Sequence, residues 1–258
     1  MRVGPAHEPK VLVYHGFGHR TAAEDPHNLF VTPEDFERQI TLLLKAFRPI
    51  DLPRYVAGWR SGTWPPRSIL ITIDDGYESV LSQAAPLLAR HHVPAVVFVP
   101  TARLAGTSAW MPKMSGERLL DLDELIEVQR FGIDVGVHGM NHIPLEGLPA
   151  EALRIEIEEA REGLVKLLGK DLESFAYPEG RFDAASVRAV ERAGYSVAFA
   201  VHSNGGRFTI RRVPIDRLDS ISSFIVKLAP GYQRMYMATR QMPRLRRVAA
   251  AVSGQRRS

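Results

Sequence analysis

Short apolar runs alternate along this chain with longer stretches whose apolar residues recur at helical spacing. The most uniform run is Ser68–Ile73, SILITI, in which four of six residues are Ile or Leu. A strand with one wet face would alternate apolar and polar positions, so this run predicts a strand buried on both faces. Further strands are predicted at 10–15 (KVLVYH), 94–100 (PAVVFVP), 133–137 (IDVGV), 174–177 and 196–201 (SVAFAV), with a last one at 209–213. Helices fall between them. Thr32, Pro33, Glu34 and Asp35 supply a capping hydroxyl, a first-turn proline and acids for a helix whose apolar face is Phe36, Ile40, Leu43, Leu44 and Phe47. Helical periods also cover 77–92, 121–131, 149–168 and 183–193.

Two connections stand out. A Gly-, Pro- and Trp-rich loop, 58–66, leads into SILITI, and an irregular stretch, 101–116, carries Trp110 and Met111. Long loops with aromatic residues often serve function, so the second is a candidate lid or substrate platform. Strand and helix alternate about seven times without an internal repeat, which predicts one α/β domain, a parallel sheet or barrel with helices outside.

Polar residues gather where these strands end: His15, Asp74 and Asp75, His138, Tyr177-Pro178-Glu179, and His202. In parallel α/β folds the carboxyl ends of the strands share one rim, where ligands bind. An Asp-Asp-Gly triplet alone would serve as well for capping the next helix. A His-x-x-x-His pair, His138 and His142, would alone pass for surface histidines. Together on neighbouring strand ends they suggest a metal site: two imidazoles and one carboxylate, Asp75, leave a coordination position open, and Zn2+ is the natural occupant.

Composition narrows this further. The 258 residues contain no cysteine, so a metal must be held by His, Asp, Glu or backbone oxygen. The N-terminal residues lack an apolar core of signal-peptide type, from which a cytoplasmic protein is expected. From Ser220 onward there are eight Lys or Arg and no acid, so the net charge of +4 divides into +8 there and −4 in the preceding 219 residues. This predicts a domain over 10–219 and a basic amphipathic tail over 220–258. The tail would suit peripheral contact with an anionic membrane, at the inner membrane face, or a solvated terminal helix; no nucleic-acid partner is expected.

The order of DDG, HxxxH and a strand ending in Tyr-Pro-x-Gly resembles the polysaccharide deacetylase family, the NodB-homology or carbohydrate esterase family 4 enzymes, over about residues 10–216. The resemblance implies a distorted (β/α)7 barrel and a metal-dependent hydrolase that removes N-acetyl groups from a polysaccharide, an oligosaccharide or a lipid-linked glycan precursor. It implies Asp74 as catalytic base and Asp75, His138 and His142 as ligands of a divalent metal, Zn2+ first, that activates a water. The third family motif usually reads RxPYG; here Ala176 stands at the Arg and Glu179 at the Tyr. The Glu179 backbone N–H could still hold the oxyanion, and Arg211 or Arg212 could replace the missing Arg. Similarity to a branch of the family active on exopolysaccharide implies His15 as the acid, with His202 as the alternative. Tyr177, Pro178, Trp110 and Arg212 are candidate substrate contacts. The alternatives are hydrolysis of a small non-carbohydrate amide and a catalytically impaired barrel that binds glycan.

Overall fold

The computed structural model describes residues 8–111, 113–114, 116–201, 203 and 205–232. His202 and most of the basic tail lie outside the described residues. Eleven strands occur among the described residues: β1 Lys10–Tyr14, β2 Gly16–Phe17, β3 Phe30–Val31, β4 Arg48–Pro49, β5 Ser68–Ile73, β6 Ala95–Val99, β7 Ile133–Val137, β8 Ser174–Ala176, β9 Val197–Ala200, β10 Ile210–Arg211 and β11 Val213–Pro214. All pair in parallel. The main sheet runs β10-β9-β8-β7-β6-β5-β1-β11, with β4 beside the start of β5. β10 and β11 are separated only by Arg212, and the two lie at opposite edges of that order. They are two halves of one bent stave. Residues 210–214 therefore join β9 to β1 and nearly close a barrel of seven staves, the fold expected from the sequence.

Period-two alternation divides the barrel's side chains between two cores. Leu70 of β5, Val96 and Phe98 of β6, Val197 and Phe199 of β9 and Ile210 of β10 fill the lumen. Their neighbours, such as Ile69, Ile71 and Ile73 on β5 and Val97 and Val99 on β6, face the outer helices. Gly136 on β7 permits the lumen to fill, because a Cβ there would lie 2.4 Å from the Phe98 ring. The outer layer is built from α1 Pro33–Ala46, α3 Ala85–Arg90, α4 Leu122–Arg130, α5 Ala150–Arg154, α6 Ala160–Leu168, α7 Ala184–Arg192 and α8 Ile221–Leu228, while α2 Leu52–Ser61 packs on the lumen residues.

One helix was not expected. α2 begins where no element was assigned and its last turn enters the expected 58–66 loop; Asp51 caps it by accepting from the Arg54 N–H, and its left-handed end is Gly62. Its Leu52, Tyr55 and Val56 join Ile50 and Trp64 against the lumen residues and cover one end of the barrel. The 149–168 and 77–92 predictions hold as helical segments but are interrupted by π-helical turns, Ile155–Glu159 and Val80–Ala84. The second begins only at Val80, and its wide turn lies just before Pro86, which has no N–H to donate. Among the described residues no helix is long and apolar enough to cross a membrane.

Candidate active site at the carboxyl rim

Alternation also decides which rim residues point inward. Asp74 continues the inward series of Leu70 and Thr72, and His138 that of Asp134 and Gly136. His15 follows Val11 and Val13, and Arg212 follows Ile210. Four chemically active side chains, separated by up to almost two hundred positions, are thereby aimed at one end of one lumen. Asp74, Asp75, His138, His142 and Arg212 are all at most 5% exposed.

Asp75, His138 and His142 come together as the sequence pattern suggested. One ligating atom from each lies within 4.8 Å of the others. Asp75 Oδ1 is 3.0 Å from His142 Nε2 and 3.4 Å from His138 Nε2. His138 Nδ1 lies 2.8 Å from the Ala176 carbonyl oxygen and donates to it, which leaves the Nε2 lone pair facing Asp75. Such a buried set of two imidazole nitrogens and one carboxylate, with no thiolate, fits a borderline divalent cation. Asp75 and His142 reach it from left-handed backbone, φ 73 and φ 60, conformations that non-glycine residues rarely adopt.

Asp74 is held differently. Arg212 Nη1 and Nη2 each lie 2.7 Å from one of its carboxylate oxygens, and Nη1 also reaches Thr72 Oγ1 at 3.2 Å. Burial acts to raise the Asp74 pKa, but Arg212, followed by His138, outweighs it and holds the carboxyl below its ordinary range. At Asp75 burial is outweighed in turn by His142 and His138, and the carboxyl lies well below that range. His15 is close enough to feel both aspartates, yet burial is the larger effect and lowers its pKa. Its Nδ1 is buried without a partner.

The loop between β6 and α4, the candidate lid or substrate platform, meets the cluster through one aromatic contact. Trp110 stacks on His142, ring centroids 4.2 Å apart and planes 19° from parallel. Beneath it a small separate core of Phe30, Tyr77, Met114 and Leu119 supports the loop. Arg20, with its guanidinium over the Phe30 ring, ties the loop down through two bonds to Glu117 at 2.9 and 3.0 Å.

Two expected substrate contacts are corrected. Arg212 is not available to a ligand, being buried and committed to Asp74; of the two arginines suggested in place of the one absent at Ala176 it is the one that meets Asp74, while Arg211 donates to the Ser203 carbonyl. Tyr177 has outward parity on β8, so its ring packs near Phe175 and Phe182 and its hydroxyl donates to the Phe208 carbonyl. Pro178 is buried beside Gly139, and Glu179 projects its carboxylate to solvent. Around Glu179, at φ 54, Gly180 and Arg181 donate to the Tyr177 and Pro178 carbonyls, whereas the Glu179 N–H takes no part in the turn's hydrogen bonds. Sequence reasoning missed Glu156, a buried acid that accepts from Met140 and Asn141 in the loop joining the two histidines.

Comparison with known proteins bears on the family and the fold. A family model described as Polysaccharide deacetylase matches residues 61–198, more than half of the chain. A protein of Staphylococcus epidermidis named poly-beta-1,6-N-acetyl-D-glucosamine N-deacetylase is 24% identical over 206 residues, 71% of this chain and 70% of that one. YxkH of Bacillus subtilis is 24% identical over 163 residues, 61% of this chain; the chain spans 55% of its length. The fold matches that of the Streptococcus pyogenes deacetylase PplD, solved with acetate, with a TM-score of 0.75 at 20% identity over 86% of this chain and 98% of that one. It also matches IcaB from Ammonifex degensii, with a TM-score of 0.71 at 20% identity over 88% and 98%. The chain belongs to the polysaccharide deacetylase family.

Proposed function

We propose that this member of the polysaccharide deacetylase family is a metal-dependent hydrolase that removes acetyl groups from an N-acetylated glycan, with an N-acetylglucosamine polymer as the first substrate. The observation that carries the reading is the buried convergence of Asp75, His138 and His142 next to Asp74, a carboxylate with its own dedicated counter-ion.

Asp75, His138 and His142 would hold the metal, Zn2+ being the first choice for two imidazoles and a carboxylate. When bound, such an ion supplies Lewis acidity, polarising an acetyl carbonyl and making water a better nucleophile near neutral pH. The rest is done by the chain. Asp74 is the general base, and its pairing with Arg212 keeps it ionised, so it is ready to accept the proton of the attacking water. The Glu179 N–H, uncommitted within its own turn, would be the oxyanion donor. His15, with an unpartnered buried nitrogen beside the aspartates, would give a proton to the departing amine from its imidazolium form, which the charges of Asp75 and Asp74 favour against burial, and return to neutral imidazole. The indole of Trp110 covers His142 and offers a flat apolar face to a sugar ring.

The test is acetate release from N-acetylglucosamine oligomers and from a lipid-linked N-acetyl sugar, using chelator-stripped protein with and without Zn2+. Metal-dependent release that is lost in Asp75→Ala is expected. Stoichiometric Zn2+ binding without release from either substrate would overturn the reading in favour of a glycan-binding barrel.

A further inference from the structure

Glu156 carries a buried charge that the proposed reaction does not use. It is 2% exposed. Its Oε2 accepts from the backbone N–H groups of Met140 at 2.9 Å and Asn141 at 3.0 Å, and its Oε1 accepts from Asn141 Nδ2 at 2.8 Å. Three donors therefore converge on one carboxylate, and all belong to the loop between His138 and His142. Successive backbone N–H groups of a turn make such an anion-binding concavity. Here the anion is supplied from within the chain.

The neighbours of the loop are arranged for this contact. A Cβ at residue 139 would lie 2.9 Å from Glu156 Oε2, and Gly139 has φ +76, so glycine is required there both for space and for conformation. On the other side of the loop the Gly139 and Met140 carbonyls accept from Thr101 and Ala102 at 3.0 and 2.9 Å. Glu156 itself lies in the π-helical turn Ile155–Glu159, where Ala160 donates to Ile155, five residues back. The widened turn buries the adjacent residues Glu156 and Ile157 together. Widened turns of this kind are frequent at functional sites.

We propose that Glu156 is a positioning residue: its carboxylate clamps the loop from Gly139 to Asn141 so that His138 and His142 present their Nε2 atoms to Asp75, and its removal weakens divalent-cation binding more than it weakens the fold. The inference rests on the assignment of Asp75, His138 and His142 as metal ligands. Partners that orient ligands from outside the coordination shell are commonly worth about 10- to 100-fold in metal affinity.

The experiment titrates chelator-stripped full-length protein with Zn2+ against a chromophoric chelator, for the wild type, Glu156→Ala, Glu156→Gln and Asn141→Ala. Thermal unfolding is followed with and without the metal. Glu156→Ala is expected to bind Zn2+ about 10- to 100-fold more weakly, and the rise in Tm on adding metal should shrink accordingly. Glu156→Gln should recover most of the affinity, since its amide oxygen can take both backbone N–H groups while its nitrogen faces an Asn141 amide turned over. Asn141→Ala, lacking one of three bonds, should fall between Glu156→Ala and the wild type. Wild-type affinity in Glu156→Ala would overturn the inference, as would equal loss of Tm with and without metal. Should Glu156→Ala fail to fold, unchanged affinity in Asn141→Ala would overturn it instead. A wild type that binds no Zn2+ overturns the ligand assignment and this inference together. One that binds Zn2+ and releases acetate beside an unaffected Glu156→Ala overturns this inference alone.

Discussion

Arg212 and Asp74, 138 positions apart, form a bidentate ion pair at 2.7 Å on both arms inside the barrel. Removing one member of a buried pair leaves an uncompensated charge, which costs about 3–5 kcal/mol. Arg212→Met is therefore expected to lose stability on that scale in denaturant unfolding and to lose acetate release as well. Adding Asp74→Asn should restore much of the stability and none of the activity. If Arg212→Met melted like the wild type, the pair would not be the closed, desolvated contact described above.

The two adjacent aspartates should separate cleanly by substitution. Asp74→Asn is expected to retain Zn2+ while turnover falls by about 10²- to 10⁴-fold, the usual worth of a general base. Asp75→Ala should lose metal and turnover together. Zn2+ titration of both variants checks this; loss of metal from Asp74→Asn would mean that the roles are reversed.

At Glu179 the backbone, not the side chain, is assigned the work. Glu179→Gly keeps the N–H and suits φ 54, so it should raise stability by up to about 1 kcal/mol and leave acetate release close to that of the wild type. A fall on the order of 10²-fold, the size expected for a lost oxyanion donor, would place the carboxylate itself in the chemistry.

Asp134, half-buried on the lumen side of β7, provides a pH test remote from the rim. Burial raises its pKa above the ordinary 3.8; Lys170 and the Leu52 N–H oppose this, while Asp51 and Glu173 add to it. A carboxyl with a raised folded-state pKa favours the fold at low pH, and that contribution is lost as pH rises through the folded-state pKa. Asp134→Asn can still accept from Leu52, so it should unfold at a higher Tm than the wild type at neutral pH, the gain vanishing below 3.8. A gain independent of pH, or none at neutral pH, would refute this.

The cluster of Asp75, His138 and His142 was legible because each member ends, or closely follows, a largely buried strand, and parallel strands bring their ends together whatever their separation in sequence. Alternation, carried as far as Ile210 and Arg212, also separates Arg212 from Arg211, and it turns Tyr177 outward. Other features leave no such trace. The π-helical turn that holds Glu156 changes the helical register without changing the apolar content of the helix. Nothing in a Glu-rich helix marks one acid as buried until its three donors are located. α2 was obscured by Pro53 and Gly58, although Asp51 followed by Pro53 is itself a helix-start signal.

The closing stave gives the order of synthesis a meaning. A nascent chain has already made Asp74, His15 and His138 when residues 210–214 emerge, and Arg212, which bonds both Asp74 oxygens, comes last. In the finished barrel that carboxylate is 3% exposed, and its removal from water is offset in part by this late-made residue. The last stave thus completes the wall of the barrel and supplies the bidentate partner of Asp74 with the same five residues.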